Sequence, residues 1–455
     1  MSEKIKVNDL RSAIKLLKSI PGEIIETDVE VNPHGELSGV YRYIGAGGTV
    51  ARPTKEGPAM IFKNVKGHPD AEVLIGLLAS RKRVGYLLDC PPEELGKKIY
   101  HSVENPIPPV VTEKPAPCQE IIHRASDEDF DLYKLIPAPT NTLHDAGPYI
   151  TLGMCYATHP DTGKSDVTIH RLCIQGKDEL SIFFTPGARH IGAMAERAEE
   201  LNEKLPISIS IGVDPAIEIG SCFEPPTTPL GYDELAVAGA LRGEPVELCR
   251  CLTVNERAIA NAEYVIEGEV IPHVRVQEDK NSGTGFAMPE FPGYTGPASS
   301  DCWLIKVKAV THRKNPIMQT CIGPSEEHVS MAGIQTLERI EYKIKLSFAE
   351  YIIFVMKIGK DFNIVFSGGE REHIGCTVLS LPRPSLSDEK KLSATSSVIN
   401  IIGHKDEYIC RYIGESFAKK YNSVVVCSGG FHIDNISKKQ IEELKNSVRE
   451  LIEKI

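Results

Sequence analysis

Between about residues 120 and 337 the chain is a succession of short β-branched and aromatic runs, among them Tyr149 to Ala157, Val167 to Gln175, Ile207 to Val213 and Trp303 to Val310, separated by Gly, Pro and Asp turns. Many short strands with few long helices between them predict a barrel or folded sheet rather than a doubly wound nucleotide fold. The run Gly45-Ala46-Gly47-Gly48 does not alter that reading. It lacks the G-x-G-x-x-G spacing and a strand-loop-helix crossover, so it predicts a turn between strands within Val40 to Phe62, a stretch that holds Tyr41, Tyr43, Ile44, Val50 and Ile61.

The flanks differ in texture. Leu10, Ile14 and Leu17 recur at helical steps between Val7 and Leu17, predicting an amphipathic helix packed on a sheet. Pro106, Pro108, Pro109, Pro115 and Pro117 remove donors and stiffen the backbone, which places a domain boundary near residue 110. After about 338, Ile344 to Ile358 reads as one or two strands and Gly368-Gly369 as a turn. The last segment reads as a helix announced by an S-x-x-Q capping box (Ser437, Gln440) and a hydrophobic staple (Ile436, Ile441). The expected class is α+β: an N-terminal α/β domain over 1–110, a β-barrel core over 111–337 and a small α/β domain over 340–455.

Composition narrows the function. With 51 Lys plus Arg against 62 Asp plus Glu, the net charge of -11 argues against a broad nucleic-acid or acidic-membrane footprint, so an anionic ligand needs a local basic site. The apolar runs Leu235 to Leu241 and Tyr351 to Met356 are too short to span a bilayer, and no uncharged signal core follows the N-terminus. The expectation is a cytoplasmic protein. Twelve cysteines without a C-x-x-C pair, the nearest approach being Cys249-Arg250-Cys251, read as reduced core thiols.

Five constellations could carry chemistry. In Lys164-Ser165-Asp166-Val167-Thr168-Ile169-His170-Arg171, a strand would turn Asp166, Thr168 and His170 to one face and Arg171 to the other, so a bulge is needed for both ends to meet one ligand; a surface strand with a charge pair is the alternative. Arg189-His190 precedes the helix start at Ile191 and suits a phosphate or is simply solvated. Tyr232-Asp233-Glu234 heads a helix, where acids are favoured by the dipole. Glu290, between Pro289 and Pro292, is either a stiffly held proton donor or an ordinary loop acid. Glu326-Glu327-His328 follows Gly323-Pro324 as a loop.

In this order the phrases GVYRYIGAGGTVARPTKEGPAM, APTNTLHDAGPYITLG, SDVTIHR, FEPPTTPLGYDELAVAGALRG, MPEFPGYTG, AVTHRKNPIMQ and IGPSEEHVSMAGI resemble the UbiD family of prenylated-FMN-dependent decarboxylases, nearest to its gallate and hydroxybenzoate subfamily. The resemblance covers about 25–337 and implies a split β-barrel flavin-binding core. It also implies prenylated FMN joined to the protein by a divalent metal, usually manganese, with a potassium ion, the ligands being Asp166, His190 and Glu234. Asp stands where the family more often has Asn. Thr151, Thr168, Ile169, His170, Arg171, Arg189 and His190 match cofactor-lining positions.

By the same resemblance Arg171 holds the substrate carboxylate, Glu290 returns a proton to the ring and His328 orients a phenolic hydroxyl. Many relatives carry two acids five residues apart; counting back from Glu290 gives Gly285, so the first acid is absent. The segment 340–455 replaces the family's usual C-terminal domain and resembles the small companion protein of gallate decarboxylase. Its His373, His404 and His432 either line a phosphate or flavin site or are turn residues. The implied activity is non-oxidative, reversible decarboxylation of a hydroxylated aromatic acid by a carboxy-lyase, supplied by a flavin prenyltransferase and working as a homo-oligomer or with a companion subunit. The alternative is a flavin-binding or maturation protein, or an incomplete subunit, without catalysis of its own.

Overall fold

The short runs of the middle region close on themselves. In the computed structural model, β1 (Tyr149–Thr158), β2 (Ser165–Gly176), β3 (Glu179–Ile182), β4 (Leu205–Ile211), β5 (Tyr264–Val276) and β6 (Cys302–His312) pair in the order β5-β4-β1-β2-β3-β6, and β6 returns to β5. Every one of these pairings is antiparallel. Closure leaves the barrel without free edges. Both faces of β1 are buried, which is why its sequence reads as a nearly unbroken apolar run instead of alternating. Ile174, Leu180, Ile207, Ile209 and Ile305 share one core cluster, whereas Met154, Tyr156 and Val167 on alternate positions join Leu235 and Val237 in another.

The structure describes residues 5–46, 56–184, 190–223, 228, 231–289, 295–322, 327, 331, 339–358, 360–385, 391–403 and 405–454. They fall into two compact units, Met1–Gln335 and Thr336–Ile455. In the first, helix α1 (Leu10–Lys18) begins at a reciprocal cap between Asp9 and Ser12 and buries Leu10, Ala13, Ile14 and Leu17, the stripe its spacing predicts. It accompanies a four-stranded sheet of Ile24–Thr27, Ala59–Phe62, Glu72–Ile75 and Ile317–Thr320. The last strand arrives from beyond the barrel and pairs in parallel with Glu72–Ile75.

Among the described residues of 40–62, Ala59–Phe62 is the strand the β-type reading expects, whereas Glu36–Tyr41 is helical and a further helical turn covers Arg42–Ala46. Leu37 and Tyr41, one turn apart, are both buried, a helical stripe too short to show its period in the sequence. The Tyr41 ring lies under Gly76, whose φ of +79° and missing Cβ leave space for the hydroxyl. Gly47 and Gly48 lie outside the described residues.

Two further helices frame the barrel, α2 (His190–Glu200) and α3 (Glu234–Arg242). In the second unit, β7 (Arg339–Lys345), β8 (Glu350–Ile358), β9 (Asp361–Gly369), β10 (Cys376–Pro384), β11 (Leu392–Asn400) and β12 (Val425–His432) form one sheet ordered β7-β8-β9-β12-β10-β11. Helices α4 (Glu407–Tyr421) and α5 (Lys438–Lys454) belong to this unit, and Ile413, Phe417, Leu444 and Val448 pack with Ile353, Phe366, Val378 and Cys427. The expected capping box is present: Gln440 N donates to Ser437 Oγ (3.3 Å) and Ser437 N to Gln440 Oε1 (2.8 Å). All twelve cysteines are free thiols. Among the described residues no helix is long and apolar enough to cross a membrane.

Candidate metal and substrate site

Three elements bring their polar residues to one buried point. Along β2, Asp166, Thr168 and His170 are 3%, 2% and 8% exposed, while Val167 between them packs into the opposite cluster with Ile169 against it. Helices α2 and α3 each start with a site residue, His190 and Glu234. Asp233 caps α3 by accepting from Leu235 N (2.9 Å), which fixes the entry of Glu234. His190 Nδ1 stands 3.0 Å from Asp166 Oδ1. The candidate ligand atoms of Asp166, His190 and Glu234 all lie within 4.8 Å of one another, the one group of its kind among the described residues.

What is missing around these atoms is informative. Asp166 Oδ2 and both Glu234 carboxylate oxygens are buried without a hydrogen-bond partner. Burial, reinforced by the neighbouring Asp166, holds the Glu234 carboxyl well above the usual carboxylate range. Unpartnered buried oxygens are costly, and a divalent cation satisfies them without needing donors. The donor set, two carboxylates and one imidazole, fits such an ion.

Next to this group, Thr168 Oγ1 and His170 Nε2 are 2.9 Å apart. The His170 ring meets Phe184 edge-on at 5.2 Å, and Phe184 meets Trp303 at 6.1 Å. On Trp303 the Arg275 guanidinium stacks at 3.4 Å. Thr151 Oγ1 accepts from Cys321 N and shares a hydrogen bond with Thr320 Oγ1, both at 2.9 Å, tying β1 to the strand that completes the N-terminal sheet.

Arg171 is not part of the Asp166 group. The β1–β2 register slips between Ile150 and Gly153, so Thr151 and Leu152 face Arg171: the bulge lies in the partner strand. The half-buried Arg171 guanidinium instead has Nε 3.7 Å from Glu278 Oε1. Glu278 also accepts from Tyr149 Oη (3.0 Å) and Ser299 N (3.1 Å). Spacing in the sequence does not single out Glu278, since the family interval counted back from Glu290 falls on Gly285. Met288 packs with Tyr149 and Cys173, so strand Phe286–Pro289 ends beside this arrangement.

Arg189, Glu290 and His328 lie outside the described residues. Glu327, expected in a loop, sits in a helical turn, wholly buried. It accepts from Leu78 N (2.9 Å) and Gly76 N (3.2 Å), and burial pushes its carboxyl up to about 7. In the second unit His373 Nε2 meets Asp406 Oδ2 at 3.3 Å and His432 Nε2 meets Asp434 Oδ1 at 2.9 Å, with the two rings edge-on at 5.9 Å. His404 lies outside the described residues.

Three family models match parts of the chain. Residues 16–103 match the 3-octaprenyl-4-hydroxybenzoate carboxy-lyase N-terminal domain, 109–326 the Rift-related domain of the same enzymes, and 349–455 a prenylated flavin chaperone LpdD-like domain. The gallate decarboxylase of Lactiplantibacillus plantarum is 58% identical over 329 residues, 72% of this chain and 67% of that protein. Among structures, the 3,4-dihydroxybenzoic acid decarboxylase of Enterobacter cloacae superposes with a TM-score of 0.71 at 50% identity, covering 80% of this chain and 76% of that one. The UbiD-class enzyme HmfF of Pelotomaculum thermopropionicum, in complex with prFMN, gives 0.65 at 32% identity, covering 80% of each chain. The chain belongs to the UbiD family of carboxy-lyases. It spans only 64–67% of the length of the first curated relatives it matches.

Proposed function

We propose that the chain catalyses non-oxidative, reversible decarboxylation of a hydroxylated aromatic acid of the gallate, protocatechuate or 4-hydroxybenzoate type, with prenylated FMN as cofactor. The observation that carries this reading is the Asp166–His190–Glu234 group, with three buried oxygens lacking partners, on the barrel of a carboxy-lyase family. These residues would hold a divalent cation, manganese in this reading, that tethers the flavin phosphate, with potassium as a second ion. Thr151, Thr168, Ile169, His170 and Arg189 would line the cofactor. The prenylated flavin, when bound, supplies an electron sink for the ring carbon that loses its carboxyl group.

The chain's own residues do the rest. Arg171, charged at every relevant pH, grips the substrate carboxylate, and Glu278 fixes the direction of the guanidinium. When carbon dioxide departs, its bonding electrons stay with the ring and Glu290 delivers a proton to that carbon. His328 orients or accepts the phenolic proton, which favours hydroxylated benzoates over cinnamate-type acids. The protein works in the cytoplasm, is loaded by a flavin prenyltransferase and assembles as an oligomer or with a companion subunit.

A second reading, flavin binding or maturation without independent catalysis, is favoured by one observation: the tail over 349–455 matches a flavin chaperone domain. The test is co-expression with a flavin prenyltransferase, addition of manganese and measurement of carbon dioxide release from a panel of hydroxybenzoates. Release supports the first reading. A flavin-loaded but inert protein supports the second.

A further inference from the structure

Two short elements border the site residues. Helix Pro215–Gly220 is capped by Asp214, whose carboxylate accepts from Ala216 N (2.8 Å) and from Nε of Arg242 at the far end of α3 (2.8 Å). Its last residue, Gly220, lies so close to the start of α3 that a Cβ there would stand 2.9 Å from Glu234 O. Strand Ile317–Thr320 ends at the hydroxyl that bonds Thr151. A buried side-chain contact joins the helix to the strand: Gln319 Nε2 donates to Glu218 Oε2 at 3.0 Å.

That contact is satisfied on one side only. Glu218 is 1% exposed and Gln319 0%, yet Glu218 Oε1 and Gln319 Oε1 are both buried without a hydrogen-bond partner. Two orphan acceptors, on side chains already joined through their other atoms, lack a single hydrogen. An ionised carboxylate cannot supply it, whereas a carboxylic acid carries an O–H donor. The surroundings favour the acid. The ionisable groups that face Glu218 are Glu327 from its helical turn, Asp214 from the cap of the same helix and Cys321 from beyond the strand, and none of them brings a positive charge. The nearby Arg242 cation is taken up by Asp214. Burial first, and then Glu327, hold the Glu218 carboxyl well above the usual carboxylate range.

We propose that Glu218 is a neutral carboxylic acid near neutral pH, with its Oε1 proton donated to Gln319 Oε1. Acid and amide then close one ring and clasp the helix that backs Glu234 to the strand that holds Thr151. Glu218 and Gln319 are positioning residues, acting through Glu234 and Thr151. A proton in place of a charge leaves both orphan oxygens satisfied and adds no buried anion beside Glu327.

The test is difference infrared spectroscopy on the full chain at about pH 8, where an ordinary glutamate is ionised. The unaltered protein measured against Glu218→Gln should show a protonated-carboxyl band that shifts in D2O. Gln319→Leu, which removes the acceptor, should move that band to higher frequency. A raised carboxyl contributes stability that is lost as pH rises, so between about pH 6 and 9 the urea midpoint should fall less in Glu218→Gln than in the unaltered protein. Glu218→Gln rebuilds the ring with an amide and should keep its manganese, whereas Glu218→Leu should lose most of it. The infrared arm needs no bound ion, so its outcome stands apart from that of the metal reading, on which the manganese arm rests. Absence of the band would show an ionised Glu218 with a water between the two oxygens and overturn the proposal. A band unmoved in Gln319→Leu would overturn the clasp, and full manganese in Glu218→Leu the positioning role.

Discussion

Glu278 directs Arg171 from a position the linear sequence does not suggest: its buried Oε1 stands 3.7 Å from the guanidinium Nε while Tyr149 Oη and Ser299 N hold the same carboxylate in place. Glu278→Gln keeps the size and loses the charge. We expect kcat to fall about a hundredfold, the cost of a slightly misdirected binding group, with manganese content unchanged. Steady-state kinetics beside metal analysis decides it; unchanged kcat removes Glu278 from the mechanism.

Glu234→Gln should act in opposite directions on binding and stability. The variant is expected to lose manganese, seen by elemental analysis. In the metal-free protein the raised Glu234 carboxyl is a burden at neutral pH, because the folded state must hold a proton the unfolded state does not. Replacing it should then stabilise the metal-free protein by about 2 kcal/mol near pH 7, read from urea unfolding. Retained metal would refute the ligand role.

A pH effect is expected from His312. Its Nδ1 donates to Arg313 O (2.8 Å), which leaves Nε2 to accept from His123 Nε2 at 3.0 Å. Ring centroids 5.2 Å apart and planes 16° apart set the two imidazoles end to end. Burial first, then His123, lowers the His312 pKa. A lowered imidazole pKa contributes stability that is present above the ordinary value near 6.5 and lost as pH falls through it. The urea midpoint should drop between about pH 7.5 and 5.5, and His312→Asn should show a smaller drop. Identical slopes for both proteins would rule this out.

Trp303 is the single tryptophan, joined through Phe184 to His170. If a flavin lies against His170, titrating FMN with manganese into the metal-free protein should quench its emission in proportion to binding. Flavin bound without any change in Trp303 emission would place the cofactor elsewhere.

Much of the fold was legible because the decisive signals are local. The barrel runs, the α1 stripe and the Ser437–Gln440 box are read from neighbouring residues, and the structure carries them all. What escaped depended on distance or on weak periodicity. The helix at Glu36–Tyr41 shows only one turn of its stripe, and the pairing of Ile317–Thr320 with Glu72–Ile75 joins segments far apart in sequence. The convergence of Asp166, His190 and Glu234 came from family resemblance; no spacing rule gives three residues on three elements a common point. Glu278 was missed for the same reason: its partner is set by the path of the backbone, not by an interval.

The strand Ile317–Thr320 has a consequence for how this molecule can be taken apart. Because it completes the first sheet from the far side of the barrel, a cut among the prolines between 105 and 117 would leave a nicked protein whose pieces still clasp one another, and residues 1–110 expressed alone would lack a strand. The front of the chain is indivisible, and the break a biochemist could exploit, or a lineage could use to exchange parts, falls after Gln335.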